Sequence, residues 1–191
     1  MNLLKKCVRF LCTMSLTLSS LWVLPATIAS AATLNSPTVS VAVPVRLVIP
    51  SLHIDANVDT LGITHSGHMA APNNFSNVGW YKYSSIPGEI GNTIIDVHYE
   101  SGTNARKLPT PGVFQNLHMI QMGDDIQVLS ANGTTHHYTV VSLTLMNKDA
   151  SMTPVMTSNG TSRLVLITCA GTWLPQQGTF SERLIVTAVL E

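Results

Sequence analysis

From Val45 onward the chain alternates short apolar runs with turn-forming residues, and no segment carries the spacing of a long amphipathic helix. Val45-Arg46-Leu47-Val48-Ile49 is closed by Pro50-Ser51, and Ala56 to Leu61 is closed by Gly62. Gly91-Asn92 breaks into an extended segment, Thr93 to Val97, with His98 at its exit. Asp125 to Ser130 and His136 to Leu145 flank Asn132-Gly133, whose ready access to positive φ marks a hairpin. Arg163 to Thr168 is a continuous strand ending on Cys169. In the last strand, Arg183 to Leu190, both alternating sets are rather apolar, which predicts a central, well-covered position. One short helical piece is predicted over Gly112 to His118, where Val113, Phe114 and Leu117 share a face. Many short strands with regular turn signals predict a mainly β fold, closed or nearly closed into a barrel.

The first thirty residues break that pattern. Lys5, Lys6 and Arg9 precede a charge-free stretch from Phe10 to Ala29, and Ala29-Ser30-Ala31 offers a small-x-small cleavage site. The stretch is long enough to cross a bilayer. Residues 1–31 therefore read as either a cleaved signal peptide or a retained membrane anchor, and the protein as exported, at the outer face of the cell membrane or secreted. Residues 32–44, with Pro37 and several Ser and Thr, read as a linker, and residues 45–191 as one folded domain.

Charge adds an exclusion. Charged residues make up 10% of the chain, with ten acids balancing ten lysines and arginines, so there is no basic field for nucleic acid and no acidic tail. Cysteine usage adds a candidate. Cys7 and Cys12 lie in the leader, which leaves Cys169 alone in the domain, unable to form an intradomain disulfide. A lone thiol of this kind is either a buried small hydrophobe or a nucleophile. A strand that delivers it to an end followed by small residues, Ala170 and Gly171, suits the nucleophile and leaves room for substrate.

A thiol needs a partner for its proton, because near neutral pH it is only a few per cent thiolate. His98, directly after a strand, is the best placed of seven histidines. His53, His65, His68, His118, His136 and His137 read as surface or loop positions. No pair has metal-ligand spacing, Asp124-Asp125 alone is too thin for calcium, and no metal or organic cofactor is implied. Acyl transfer also calls for donors where an oxyanion develops. If the strands ending at Thr168 and starting at Arg183 pair antiparallel across a loop from Ala170 to Glu182, Cys169 and Arg183 are neighbours and Arg163 is remote. Arg183 reads equally as a surface residue paired with an acid such as Glu182.

The string Val165-Leu166-Ile167-Thr168-Cys169, followed by Arg183-Leu184-Ile185-Val186, resembles the sortase signature of a TLxTC strand and a later Arg-led strand, with Val165 in place of the first Thr. Arg46-Leu47-Val48-Ile49-Pro50, Val78-Gly79-Trp80-Tyr81, Pro87-Gly88, Gly91 to Ile95, Val113-Phe114, Leu117 and Gly123-Asp124 follow in the same order. The pattern is most similar to the class E and F sortases of Gram-positive bacteria. The resemblance implies an eight-stranded barrel with short helices and maps the catalytic trio onto His98, Cys169 and Arg183, with Thr168 and Ala170 as substrate-contacting neighbours. It also implies cleavage of an LPxTG-type sorting motif through a thioester on Cys169. The partners are then a surface-protein sorting peptide and an amine acceptor, from a peptidoglycan cross-bridge or a pilin lysine. A departure falls beside the histidine: many relatives have Gly there, whereas Asp96-Val97 precede His98. Asp96, on the opposite strand face from Val97, either orients His98 or, the favoured reading, faces solvent. Two other functions fit the same residues, a thiol peptidase that passes its thioester to water and a non-catalytic peptide- or wall-binding barrel.

Overall fold

The structure is a computed structural model that describes residues 42–97, 112–157 and 160–191. The leader, most of the linker and His98 lie outside the described residues. Eight strands are formed: β1 (Pro44–Ile49), β2 (Ile54–Leu61), β3 (Val78–Tyr81), β4 (Gly91–Val97), β5 (Asp125–Ser130), β6 (Thr135–Asn147), β7 (Ser162–Leu174) and β8 (Thr179–Leu190). They close into a barrel in the order β1-β2-β3-β4-β7-β8-β6-β5. Neighbours are antiparallel except β2 with β3 and β4 with β7.

The period-2 reading accounts for this architecture. In β5, Ile126, Val128 and Ser130 turn inward while Asp125, Gln127 and Leu129 are half-buried. Leu47, Ile49, Ile95, Val128, Leu166 and Val186 are fully buried in the barrel interior. Each such side chain contributes roughly 1.5–3 kcal/mol by leaving water. The opposite face of β4, β7 and β8 is also covered. There Ile94, Val165, Ile167 and Ile185 form a second cluster with Val155 of the short helix α1 (Thr153–Met156). That cover explains why β8 reads as apolar on both faces.

Three features depart from the sequence reading. The stretch expected as a loop from Ala170 to Glu182 is largely strand, because Trp173 pairs with Phe180 and Leu174 with Thr179 across the β7–β8 hairpin. Cys169 therefore sits within β7 rather than at its end. The ladder is interrupted between Ala170 and Trp173, where Gly171 adopts φ +79°, and a Cβ there would stand 2.8 Å from Glu182 Oε2. The predicted helical piece over Gly112 to His118 is a run of turns leading to a 3-10 segment, Leu117–Met119, although Phe114 and Leu117 are buried as its pattern requires. Neither α1 nor β3 is announced by periodicity, each being only four residues long.

Gly79 lets β3 pack closely against Leu61 of β2. A Cβ at this position would overlap the buried Leu61 side chain and stand 3.1 Å from Pro72 Cγ. Gly79→Ala is accordingly expected to destabilise the protein by about 1–3 kcal/mol, the usual cost of overpacking a core that cannot shift. Thermal denaturation followed by circular dichroism reads the loss.

Candidate active site

β7 runs through the barrel wall with Leu164, Leu166 and Thr168 turned inward and Val165, Ile167 and Cys169 turned outward, since successive side chains alternate. β8 is antiparallel to it, and the register sets Cys169 directly opposite Arg183. Opposed Cα atoms in such a ladder are about 5 Å apart, with side chains on one face. Arg163, at the other end of β7, stands opposite Val189 and is remote from the thiol. The pairing inferred from the strand order is thus the one formed.

The Arg183 guanidinium is tied to its own strand. Nη1 donates to the Phe180 carbonyl at 3.2 Å and the Glu182 carbonyl at 2.8 Å, and Nη2 donates to Thr179 Oγ1 at 3.1 Å. Its contact with Glu182 is to the backbone, so the alternative of a surface ion pair with that side chain is not what holds it. A guanidinium has five N–H donors in a rigid fork. The three used here fix its plane, and the other two have no acceptor among the described residues.

Cys169 is half-buried and is the only cysteine among the described residues. Burial pushes its thiol pKa up. The positive charge of Arg183 pulls it back, and the carboxyl of Asp96 pushes it up again. The resting group is therefore a thiol, and a proton acceptor is required before it attacks. Thr168 is buried, and its hydroxyl donates to the Val97 carbonyl at 3.1 Å, which ties β7 to the end of β4. Its side chain is consequently committed inside the barrel. Ala170 is half-buried and packs against the same inner core. His98 follows directly on β4 in the chain and lies outside the described residues.

Asp96 does not face solvent as expected. It stands opposite Ile167 on the covered outer face, and it lines a cleft of about 390 Å³. Met69, Tyr81, Met152, Met156 and Ile167 supply the apolar walls of that cleft, and His68, Lys148 and Arg183 its polar rim. Burial raises the Asp96 pKa to about 7, against the opposing pull of a hydrogen bond from the Val97 backbone N–H and the charge of Arg183. The lining comes from the β2–β3 segment, β3, β4, the β6–β7 connection, β7 and β8. Spacing along the chain does not reveal such a set. The one available signal was a lone acid in an otherwise apolar strand whose neighbours are apolar on both faces.

One histidine differs from the surface reading. His68 is exposed in the β2–β3 segment, as expected, and borders the cleft just described. His136 packs against Gly88, where a Cβ would stand 2.7 Å from its Nδ1, and burial lowers its pKa. Asp124 and Asp125 are engaged structurally. Asp124 accepts hydrogen bonds from Ser51 Oγ and the Gln121 N–H, and Asp125 from Gln127 Nε2. Among the described residues no cluster of three or more possible metal ligands occurs, and no helix is long and apolar enough to cross a membrane.

A thiol and a pre-oriented guanidinium stand side by side on a rigid ladder, and the guanidinium lines a largely apolar cleft, an arrangement that suits acyl transfer. A family model described as "Sortase domain" matches residues 47–191. None of the curated proteins matches the chain. Among solved structures, the fold is similar to that of a sortase D5 transpeptidase from Clostridium perfringens, at 20% identity over 78% of this chain and 79% of that one, with a TM-score of 0.56. It is similar as well to sortase C-1 of Actinomyces oris, at 24% identity, 76% and 72% coverage and a TM-score of 0.54. A lid mutant of Corynebacterium diphtheriae sortase A matches at 20% identity, 78% and 70% coverage and a TM-score of 0.57.

Proposed function

The chain belongs to the sortase family, whose members are cysteine transpeptidases, and on that premise we propose that it cleaves an LPxTG-type sorting motif and transfers the acyl part to an amine. Cys169 Sγ attacks the carbonyl of the motif's Thr, the Thr–Gly bond breaks, and a thioester forms. His98 takes the thiol proton as Cys169 attacks, passes it to the departing amine, and then takes one from the incoming amine. Arg183 donates to the carbonyl oxygen as it gains negative charge. The acceptor is a peptidoglycan cross-bridge amine or a pilin lysine. The N-terminal segment exports the domain and, if retained, holds it at the outer face of the membrane.

The observation that supports this reading is the register of Cys169 with Arg183, whose guanidinium is held by three acceptors so that its two donors without an acceptor among the described residues need no reorganisation during reaction. Mass spectrometry of the protein incubated with an LPxTG-type peptide and triglycine tests it. A product joining the motif's Thr to triglycine is expected. Cleavage that ends only in the free Thr acid, whatever amine is supplied, would identify a peptidase. Absence of any turnover across a varied peptide panel would leave a peptide-binding barrel.

A further inference from the structure

Asp96 has no part in the steps above, yet it stands beside the proposed nucleophile. β4 and β7 run parallel, with Asp96 opposite Ile167 and Val97 opposite Thr168. Asp96, Ile167 and Cys169 share the outer face, so Cys169 lies two residues further along the adjacent strand. With strands about 4.8 Å apart and a rise of about 3.3 Å per residue, their Cα atoms are about 8 Å apart. A negative charge at that range, half-buried in a largely apolar cleft, opposes formation of a second one.

We propose that Asp96 is an electrostatic brake on Cys169: while the cleft is empty its carboxylate adds to burial in opposing ionisation of the thiol, and the brake lifts when Asp96 becomes neutral. No atom is transferred between the two groups. A proton taken up by Asp96 removes the charge that a thiolate has to oppose. A peptide that covers the cleft excludes water from the carboxyl and favours its neutral form, so the thiol becomes reactive where substrate is present. The role in turnover rests on Cys169 being the nucleophile, whereas the brake itself does not.

The surroundings support a group that changes charge rather than a fixed ion pair. Arg183 reaches the cleft from β8 with three of its donors committed elsewhere, and the Lys148 ammonium is bonded to Asp149 at 2.6 Å. His68 from the β2–β3 segment and Tyr81 from β3 are the remaining titratable groups of the lining. Burial raises the Asp96 pKa to about 7, and burial together with the Asp96 charge pushes the thiol's up from its ordinary value, so the charge state of one group bears on the other.

Alkylation by iodoacetamide, a neutral reagent, tests this on the full chain. Its rate at Cys169 is read by peptide mass from pH 5 to 10, for the natural protein, Asp96→Asn and Asp96→Glu. The natural protein should show a shallow titration. Asp96→Asn should react about tenfold faster near pH 7.5, with a single steeper titration, and Asp96→Glu should restore the shallow one. At pH 5, where Asp96 is neutral, the rates of the natural protein and Asp96→Asn should converge, which a misfolded variant would not reproduce. An unchanged or slower rate in Asp96→Asn would overturn the proposal, slower marking Asp96 as a base. So would a shallow titration that persists in Asp96→Asn, which would assign the coupling to another group, His98 first among them. Because the readout is the thiol and not ligation, the brake can hold where the transpeptidase reading fails, and the reverse.

Discussion

Cys169→Ala should abolish ligation, lowering its rate by at least about 10⁴-fold, with the thermal midpoint little changed. The expected size follows from the chemistry: without a nucleophile there is no covalent intermediate, and what remains is binding and donor placement. Little stability is at stake, because Cys169 is half-buried and its partners across the ladder are backbone groups that alanine retains. Two measurements separate this outcome from a general loss of function. Acid-quenched reactions of the natural protein with peptide should show an adduct at Cys169, and the variant should show none. Peptide binding, followed by fluorescence anisotropy, should persist in Cys169→Ala. Ligation that survives in the variant would remove Cys169 from the mechanism and leave it a small, half-buried structural side chain. Cys169→Ser should be nearly as inactive, since a hydroxyl is a far weaker acid than a thiol and a site tuned to the thiol does not ionise it.

The barrel was legible where period 2 and turn residues coincide. Asp125 to Ser130 needed only alternation and the Asn132-Gly133 turn, and its observed bounds are the expected ones. Extents were harder where no turn residue intervenes. Nothing in Ala170 to Leu174 announces that β7 continues, because its continuation depends on cross-strand partners, Phe180 and Thr179, that only the folded hairpin brings alongside. β3 was invisible for a related reason: a four-residue strand containing Gly79 has little propensity, and the closeness of Leu61 that requires the glycine is a tertiary fact. The site divides in the same way. Cys169 and Arg183 were readable because one antiparallel step relates them. Asp96 was misplaced because the cover over the outer face comes from Met152, Val155 and Met156, more than fifty residues away in the chain, and a strand by itself does not tell a covered face from a wet one.

Arg183→Ala should lower kcat by about 10²–10³-fold with a smaller change in KM, the pattern of an interaction made mainly in the transition state. The guanidinium is oriented before substrate arrives: Phe180, Glu182 and Thr179 fix its plane, and its other two N–H donors have no acceptor among the described residues. Donors already in place cost no reorganisation when the carbonyl oxygen becomes negative, which is why their loss appears in kcat. Arg183→Lys separates charge from geometry. A lysine keeps the positive charge, so it should still lower the thiol pKa, but its single rotatable ammonium cannot both hold the β8 carbonyls and present two fixed donors. Its kcat is therefore expected to lie between those of the natural protein and the alanine variant, closer to the latter, while its alkylation rate at Cys169 stays near the natural one. Arg183→Ala should instead alkylate more slowly, because the cation that opposes both burial and Asp96 is gone. If lysine restores full kcat, positive charge alone is sufficient and the anchoring along β8 serves the fold. If alanine loses substrate affinity with kcat intact, Arg183 holds the ground-state peptide rather than the developing oxyanion.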